Sequence, residues 1–379
     1  MTLSRMGQAS LLAVAMLTIV VGCVIVPGLP TIAAALGQPA MAPWLVTLPA
    51  LGVVLVAPLA ARMNDRLGLY PTLCWGLFFY APVGLAGAWA PSPALLVLDR
   101  LVLGFATATV MTAGTGLLTH FFTGRARLGA LARQGMAIEL GGVAFLCLGG
   151  LLVEIHWRAP FFLYLSAWLL LALVRCFVPH VDTRHAAKEA GDAGQTWSSG
   201  QLAVFIAAAG SMAVFFIAIT SLPFRLSSFG VSEQAIGYFL SGVSLIAVGA
   251  AALVPRLVQL VAPGSVLCLA FLCYGCSHLC FAAMGSVGTS LLGGLTLGLG
   301  FGFSIPLANY IIVELSPVAQ RNRALGHLSM AIFAGQFGSS FVHLLPGGDR
   351  PFSYAAAGAT CLLLYCATQR RGLTPQLHG

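Results

Sequence analysis

The chain alternates long apolar runs with short polar punctuation. Met6 to Ala61 and Leu257 to Val313 each contain no Asp, Glu, Lys or Arg. A spanning helix needs about 20 apolar residues, so each run holds two spans. The pattern predicts helices at 8–28, 44–61, 71–90, 94–117, 130–153, 160–178, 201–222, 235–254, 265–284, 287–312, 325–345 and 352–369. Gly28-Leu29-Pro30, Gly37-Gln38-Pro39, Pro91-Ser92-Pro93 and Pro346-Gly347-Gly348 mark the breaks. Short alternating segments, the mark of a transmembrane barrel, do not occur. Arg5 precedes an apolar stretch too long for a signal-peptide core and without a small-residue cleavage site, so it reads as the first span.

Twelve spans place both termini on one side, and the basic residues choose the side. Arg5, Arg62, Arg66, Arg125, Arg127, Arg133, Arg175, Arg184, Lys188, Arg256, Arg321, Arg323, Arg370 and Arg371 fall on the terminal side, against Arg158, Arg225 and Arg350 opposite. By the positive-inside bias the termini are cytoplasmic. Residues 179–200, the longest hydrophilic stretch, read as a cytoplasmic linker between six-helix bundles at 1–178 and 201–379.

Composition closes off other classes. Of 379 residues 59% are hydrophobic and 7% charged, against roughly 25% charged in a soluble domain. The net charge of +8 is scattered singly through apolar sequence, so nucleic acid is not an expected partner. The ten cysteines fall mostly inside apolar runs as small hydrophobes; the Cys273-x-x-Cys276 pair has no carboxylate near it, and no metal or other cofactor is expected. With ten acids in all and no cluster of nucleophiles or ligands, the chain does not read as an enzyme, and it has no nucleotide-binding motif for direct ATP coupling.

The two halves resemble each other. Arg125-Ala126-Arg127-Leu128-Gly129 is repeated as Arg321-Asn322-Arg323-Ala324-Leu325-Gly326, Met136-Ala137-Ile138 as Met330-Ala331-Ile332, and Leu103-Gly104-Phe105 as Leu299-Gly300-Phe301, at offsets of 194 to 196. Both copies lie on the same expected side, which makes a parallel repeat of the kind transporters use around a midplane site.

With these residues in place the chain resembles the major facilitator superfamily over nearly its whole length. Asn64-Asp65-Arg66-Leu67-Gly68 is similar to the family's motif after span two, with Ala61 for the first Gly and Leu69-Tyr70 for the trailing basic residues. Arg100-Leu101-Val102-Leu103-Gly104 matches R-x-x-x-G in span four. Trp157-Arg158-x-x-Phe161 and the Gly298–Pro306 stretch resemble the bacterial twelve-helix drug:proton antiporter branch. Gly141, Gly149 and Gly150 keep part of the antiporter motif of span five, but Phe145 and Leu146 stand where it has Gly-Pro. The resemblance implies an all-α membrane protein of twelve helices in two pseudo-symmetric bundles. It implies a monomeric multi-pass carrier in the bacterial inner membrane that exports a small amphipathic compound or drug in exchange for protons. An importer or uniporter of the same fold is the alternative, supported by the missing Gly-Pro and by the lack of any charge in span one.

Charged groups inside spans are costly and usually face a partner or a wet cavity. Asp99 and Arg100 lie near the outer end of span four, and Glu139 about 14 Å into span five. Their repeat counterparts are neutral, Thr296 for Arg100 and Phe333 for Glu139, so packing alone does not demand the charges. Glu139 is expected to exchange a proton, with Arg100 modulating it or meeting an anionic substrate group. An Arg100–Glu139 or Asp99–Arg100 pair that only fixes helix positions is the other reading. The resemblance assigns Asp65, Arg66 and Gly68 to a cytoplasmic gate. It draws the cavity from spans one, four, seven and ten, which offer Cys23, Pro27, Thr107, Met111, Ser211, Phe215, Phe216, Thr220, Phe303, Asn309 and Tyr310. His278, His327 and His343 read as packed side chains rather than relays. Glu314 is expected to pair with Arg321 or Arg323.

Overall fold

The structure, a computed structural model, describes residues 3–90, 92–122, 124–181, 183, 197–317, 320–346, 350–370 and 372–373. Most of the linker expected at 179–200 lies outside these residues. Among the described residues the chain is helical and contains no strand. Its α-helices are α1 (Arg5–Cys23), α2 (Leu29–Ala35), α3 (Ala42–Leu67), α4 (Leu69–Ala86), α5 (Pro93–Phe121), α6 (Gly124–Ile155), α7 (Ser166–Phe177), α8 (Ser199–Ser227), α9 (Glu233–Leu260), α10 (Pro263–Ala282), α11 (Val287–Glu314), α12 (Arg321–Gly338) and α13 (Pro351–Thr368).

Among the described residues ten helices are long and apolar enough to cross a membrane. The last two of the twelve expected spans are also helical, and the first of them, α12, is less apolar. α12 opens on Arg321, Asn322 and Arg323 and tightens into a 3-10 turn at Ser339–Leu344, and α13 is 18 residues long. Several boundaries differ from the expected ones: α6 starts at Gly124 rather than 130, and α8 and α9 run on to Ser227 and Leu260 rather than 222 and 254. The first span stops at Cys23, and the short α2, capped by Gly28 with Pro30 in its first turn, follows a turn where the helix was expected to continue. The sixth span starts as a 3-10 turn, Ala159–Leu165, before α7. The stretch after span two is not a loop: α3 runs to Leu67 and ends at Gly68, whose φ of +90° only glycine holds cheaply. Polarity ends the apolar pattern at Arg62, but a helix leaving the hydrocarbon has no reason to unwind there.

Helix starts repeat the internal symmetry of the sequence. Ser4, Ser92, Ser198 and Ser286 each accept a hydrogen bond from the backbone N–H three residues on, at the N-termini of α1, α5, α8 and α11. Ser4 and Ser198 are 194 residues apart, as are Ser92 and Ser286, the same offset as the Met-Ala-Ile repeat. At α8 the cap is reciprocal, with the Gln201 amide N–H on Ser198 and the Ser198 N–H on the Gln201 side chain. Ser198→Ala is expected to cost about 1 kcal/mol, read as a lower unfolding temperature in detergent.

The chain divides into two compact units. The first holds Met1–Ala193 with Phe229–Ser241, the second Gly194–Ser228 with Gly242–Gly379. In the first, α5 packs on α3 and α4, and α1 on α6 and α5. The α3–α5 crossing is bare backbone on bare backbone. A Cβ on Gly104 would overlap the Pro49 carbonyl oxygen and stand 2.8 Å from Gly52 Cα. The first turns of α9 belong to this unit. Thr31 donates to the Glu233 carboxylate at 2.6 Å, the Gln234 N–H to Glu154 at 3.1 Å, and Ser241 to the Val143 carbonyl at 2.9 Å. In the second unit α10 packs on α11 and α13, and α8 on α12, α13 and α11. Three hydroxyls tie it together: Ser211 lies 2.9 Å from Tyr274 and 2.6 Å from Ser304, and Tyr274 lies 3.2 Å from Ser304.

Candidate functional site

Two sites in the first unit carry charge within a span. At one, Arg100 is completely buried. Its Nε and Nη2 donate to Oδ2 of Asp99 at 2.8 and 2.6 Å, and Nη2 also reaches the Gly84 carbonyl at 3.3 Å. The Phe161 and Tyr164 rings lie 5.7 and 5.8 Å from its guanidinium carbon. A guanidinium taken from lipid or water needs such a cage, because desolvation outweighs a single ion pair. The fit leaves no slack: a Cβ on Gly87 would collide with Arg100 Nη2. Nη1 has no hydrogen-bond partner among the described residues. Of the two pairings left open from the sequence, the structure forms Asp99–Arg100. The pair lies within α5; the contacts that cross to other elements are the Gly84 carbonyl of α4 and the two rings of the Ala159–Leu165 turn.

Glu139 is the other site. It lies near the middle of α6, half-buried, close enough to Cys23 at the end of α1 for electrostatic interaction. Among the described residues it makes no hydrogen bond or ion pair. Five residues earlier on the same helix, Gln134 donates to Thr115 of α5 at 2.6 Å.

The expected cavity residues are distributed over both units. In the first, Pro27 is buried in the turn after α1, and Thr107 is buried with its hydroxyl donated to the Leu103 carbonyl at 2.8 Å. Cys23 and Met111 are half-buried. In the second, Phe215 stacks on Phe301 at 4.2 Å and meets Phe216 edge-on at 5.7 Å. Thr220 donates to the Phe216 carbonyl at 2.8 Å, and Phe303 is buried. Ser211 spends its hydroxyl on Tyr274 and Ser304. Asn309 and Tyr310 are exposed at the α11 surface, and Asn309 donates to its own helix at the Ile305 carbonyl, 3.0 Å away.

Asp65 and Arg66 are exposed on the last turn of α3 and form no ion pair with a described residue. The expected Glu314 pairing is absent: Arg321 Nε donates to the carbonyls of Val313 and Ser316 at 3.0 and 3.3 Å, closing the end of α11. His278 is buried with Nε2 3.0 Å from the Val214 carbonyl, His327 packs on Trp197 at 4.7 Å, and His343 is half-buried. Among the described residues no three His, Cys, Asp or Glu side chains converge as a metal-ligand set.

Sequence reasoning missed the groups around the charges. Tyr164 and Tyr80, both buried, lie behind Arg100, and Tyr274 and Ser304 complete the contacts of Ser211. The first of these was visible: Phe161 and Tyr164 are three residues apart, which puts both rings on one side of a 3-10 turn.

Comparison with known proteins places the chain in a family. The Major Facilitator Superfamily matches residues 10–340. Multidrug resistance protein 1 of Bacillus subtilis is 29% identical over 131 residues, 35% of this chain and 33% of that protein. A triacylglyceride transporter of Mycolicibacterium smegmatis is 29% identical over 157 residues, 41% and 28%. The multidrug efflux pump LfrA of the same species is 32% identical over 120 residues, 31% and 24%. The chain thus spans a third or less of these curated relatives. Among solved structures, a POT family transporter in complex with 5-aminolevulinic acid superposes with a TM-score of 0.79 at 11% identity, covering 97% of this chain and 96% of that one. The human organic anion transporter MFSD10 superposes with 0.67 at 18% identity, covering 96% and 99%. At these identities the structures speak for the fold alone, and it is the family match over most of the sequence that decides: the chain belongs to the Major Facilitator Superfamily.

Proposed function

We propose that the protein is a proton-coupled secondary carrier that exports a small amphipathic organic compound or drug across the bacterial inner membrane by alternating access, as a monomer with both termini cytoplasmic. The observation that carries this reading is Glu139. It is an acid midway along a spanning helix, half-buried and without an ion pair or hydrogen bond to a described residue. A carboxyl group in that setting can take up and release a proton without breaking a structural contact, and intramembrane acids mark ion pathways. Arg100 is bound to Asp99 and caged by aromatic rings, which favours a positioning role for it. The names of the relatives, two multidrug pumps and a triacylglyceride transporter, support a hydrophobic cargo. The weakly polar aromatic set of α8 and α11 suits such a cargo better than a sugar.

In proteoliposomes driven by a pH gradient, with ethidium as the probe, Glu139→Gln is expected to lower flux to the level of empty liposomes, and Glu139→Asp to keep part of it. Unchanged pH-driven flux in Glu139→Gln removes Glu139 from the mechanism. Phe145 and Leu146 at the antiporter Gly-Pro positions favour a second reading, an importer or uniporter. Counterflow in oriented vesicles separates the two by direction.

A further inference from the structure

A groove of about 550 Å³ opens sideways on the first unit between α4 and α5. Trp89 stands at the end near the α4–α5 turn, with Ala86 on one wall and Leu95, Leu98 and Val102 on the other. Trp89, Leu95, Leu98 and Val102 are all exposed, on helices long and apolar enough to span a membrane. Such a surface is solvated by lipid, and an apolar wall there is ordinary. The carboxylate in it is not.

Asp99 lines the groove. Both hydrogen bonds from Arg100 end on Oδ2, and Oδ1 has no partner among the described residues. Asp99 is the seventh residue of α5, about 9 Å from its start. An acceptor left without a donor against an apolar wall is costly. Arg100 is wholly buried behind it, so the groove meets the negative face of the pair. The other cation nearby, Arg158, lies over the Trp89 and Trp157 rings at 5.3 and 4.5 Å and donates to the Ala88 carbonyl at 3.3 Å.

We infer that this groove is a membrane-side binding site for a lipophilic amine, an apolar molecule with one donating nitrogen. The apolar body lies along Leu95, Leu98 and Val102, and the nitrogen donates to Asp99 Oδ1. Charge selects the amine over a fatty acid, which would place a second carboxylate against the first, and over a bare acyl chain, which leaves Oδ1 unsatisfied. The site does not depend on the direction of transport or on Glu139.

The test uses the full chain in phosphatidylcholine nanodiscs, titrated with ω-bromododecylamine or ω-bromododecanoic acid. Bromine quenches an indole it touches, and Trp89→Phe identifies the share of emission that belongs to Trp89. The amine is expected to quench that share saturably, and the acid to do so about tenfold more weakly or worse. Asp99→Asn keeps an oxygen for Arg100 but sets an N–H donor where Oδ1 stood, and is expected to weaken the amine by about tenfold or more. Ala86→Leu fills the groove without touching the ion pair and is expected to abolish the effect. This variant and the amine–acid contrast stand even if Asp99→Asn does not fold. Equal quenching by amine and acid, equal affinity in a folded Asp99→Asn, or full quenching in Ala86→Leu each overturns the proposal, the first two in favour of a lipid chain as the occupant.

Discussion

Asp99→Ala is expected to destabilise the folded protein by about 3–5 kcal/mol, the cost of removing one partner from a buried ion pair. Arg100 has no exposed surface, and its two short hydrogen bonds both go to Asp99, the Gly84 carbonyl lying farther off at 3.3 Å. The Gly84 carbonyl and the two aromatic faces cannot neutralise a full charge in that volume. A guanidinium does not shed its proton to escape, as a lysine can. The double variant Asp99→Leu/Arg100→Leu removes the charge with its partner and is expected to recover much of the loss. The measurement is thermal unfolding of wild type, both single variants and the double variant in one detergent. A single variant as stable as wild type would show that the pair contributes nothing to the fold.

Gly104→Val is expected to have an effect of the same order, about 3 kcal/mol, at the upper end of what overpacking costs. Here the obstacle is backbone, which has no rotamer to yield. A side chain on Gly104 meets the Pro49 carbonyl and the Gly52 Cα, and one on Gly52 meets the Leu101 carbonyl. Helices without a hydrophobic drive toward each other in lipid rely on such close approach for their attraction. Pushing α3 from α5 therefore removes dispersion along the whole crossing. Size-exclusion profiles and unfolding temperatures of Gly104→Ala and Gly104→Val should fall in that order. Equal behaviour of the two would place the contact elsewhere.

The spans were legible because lipid demands the same thing of every helix: about 20 apolar residues with internal backbone pairing. Among the described residues, each of the twelve expected segments corresponds to helical structure. The misreadings cluster where the apolar pattern stops carrying information. α3 continues through Arg62, Asp65 and Arg66 because polarity governs depth, not helicity. α2 was hidden by Gly28, Pro30 and Gly37, which mark turns and also cap short helices. Six residues inside spanning helices, Pro49, Pro58, Pro82, Pro223, Pro255 and Pro306, do not end them; membrane helices tolerate proline because side chains, neighbouring helices and local adjustments can take up the freed carbonyls.

The site was less legible. Composition flagged Asp99, Arg100 and Glu139 as unusual, but which charges meet depends on helix rotation, and one residue of rotation is 100°. Asp99 and Arg100 are adjacent in sequence, and only the long arginine folding back lets Nε and Nη2 reach one oxygen. Ser211 looked available for a ligand because its partners lie 63 and 93 residues away.

Those three hydroxyls have a mechanical consequence. Ser211, Tyr274 and Ser304 satisfy one another as donors and acceptors, so together they act as a rivet through α8, α10 and α11 rather than as solvent for a cargo. Sliding any one of these helices past the others breaks two contacts at once, in a medium that offers no water in exchange. Rearrangement within the second unit is therefore expected to fall at the helix ends rather than at this contact.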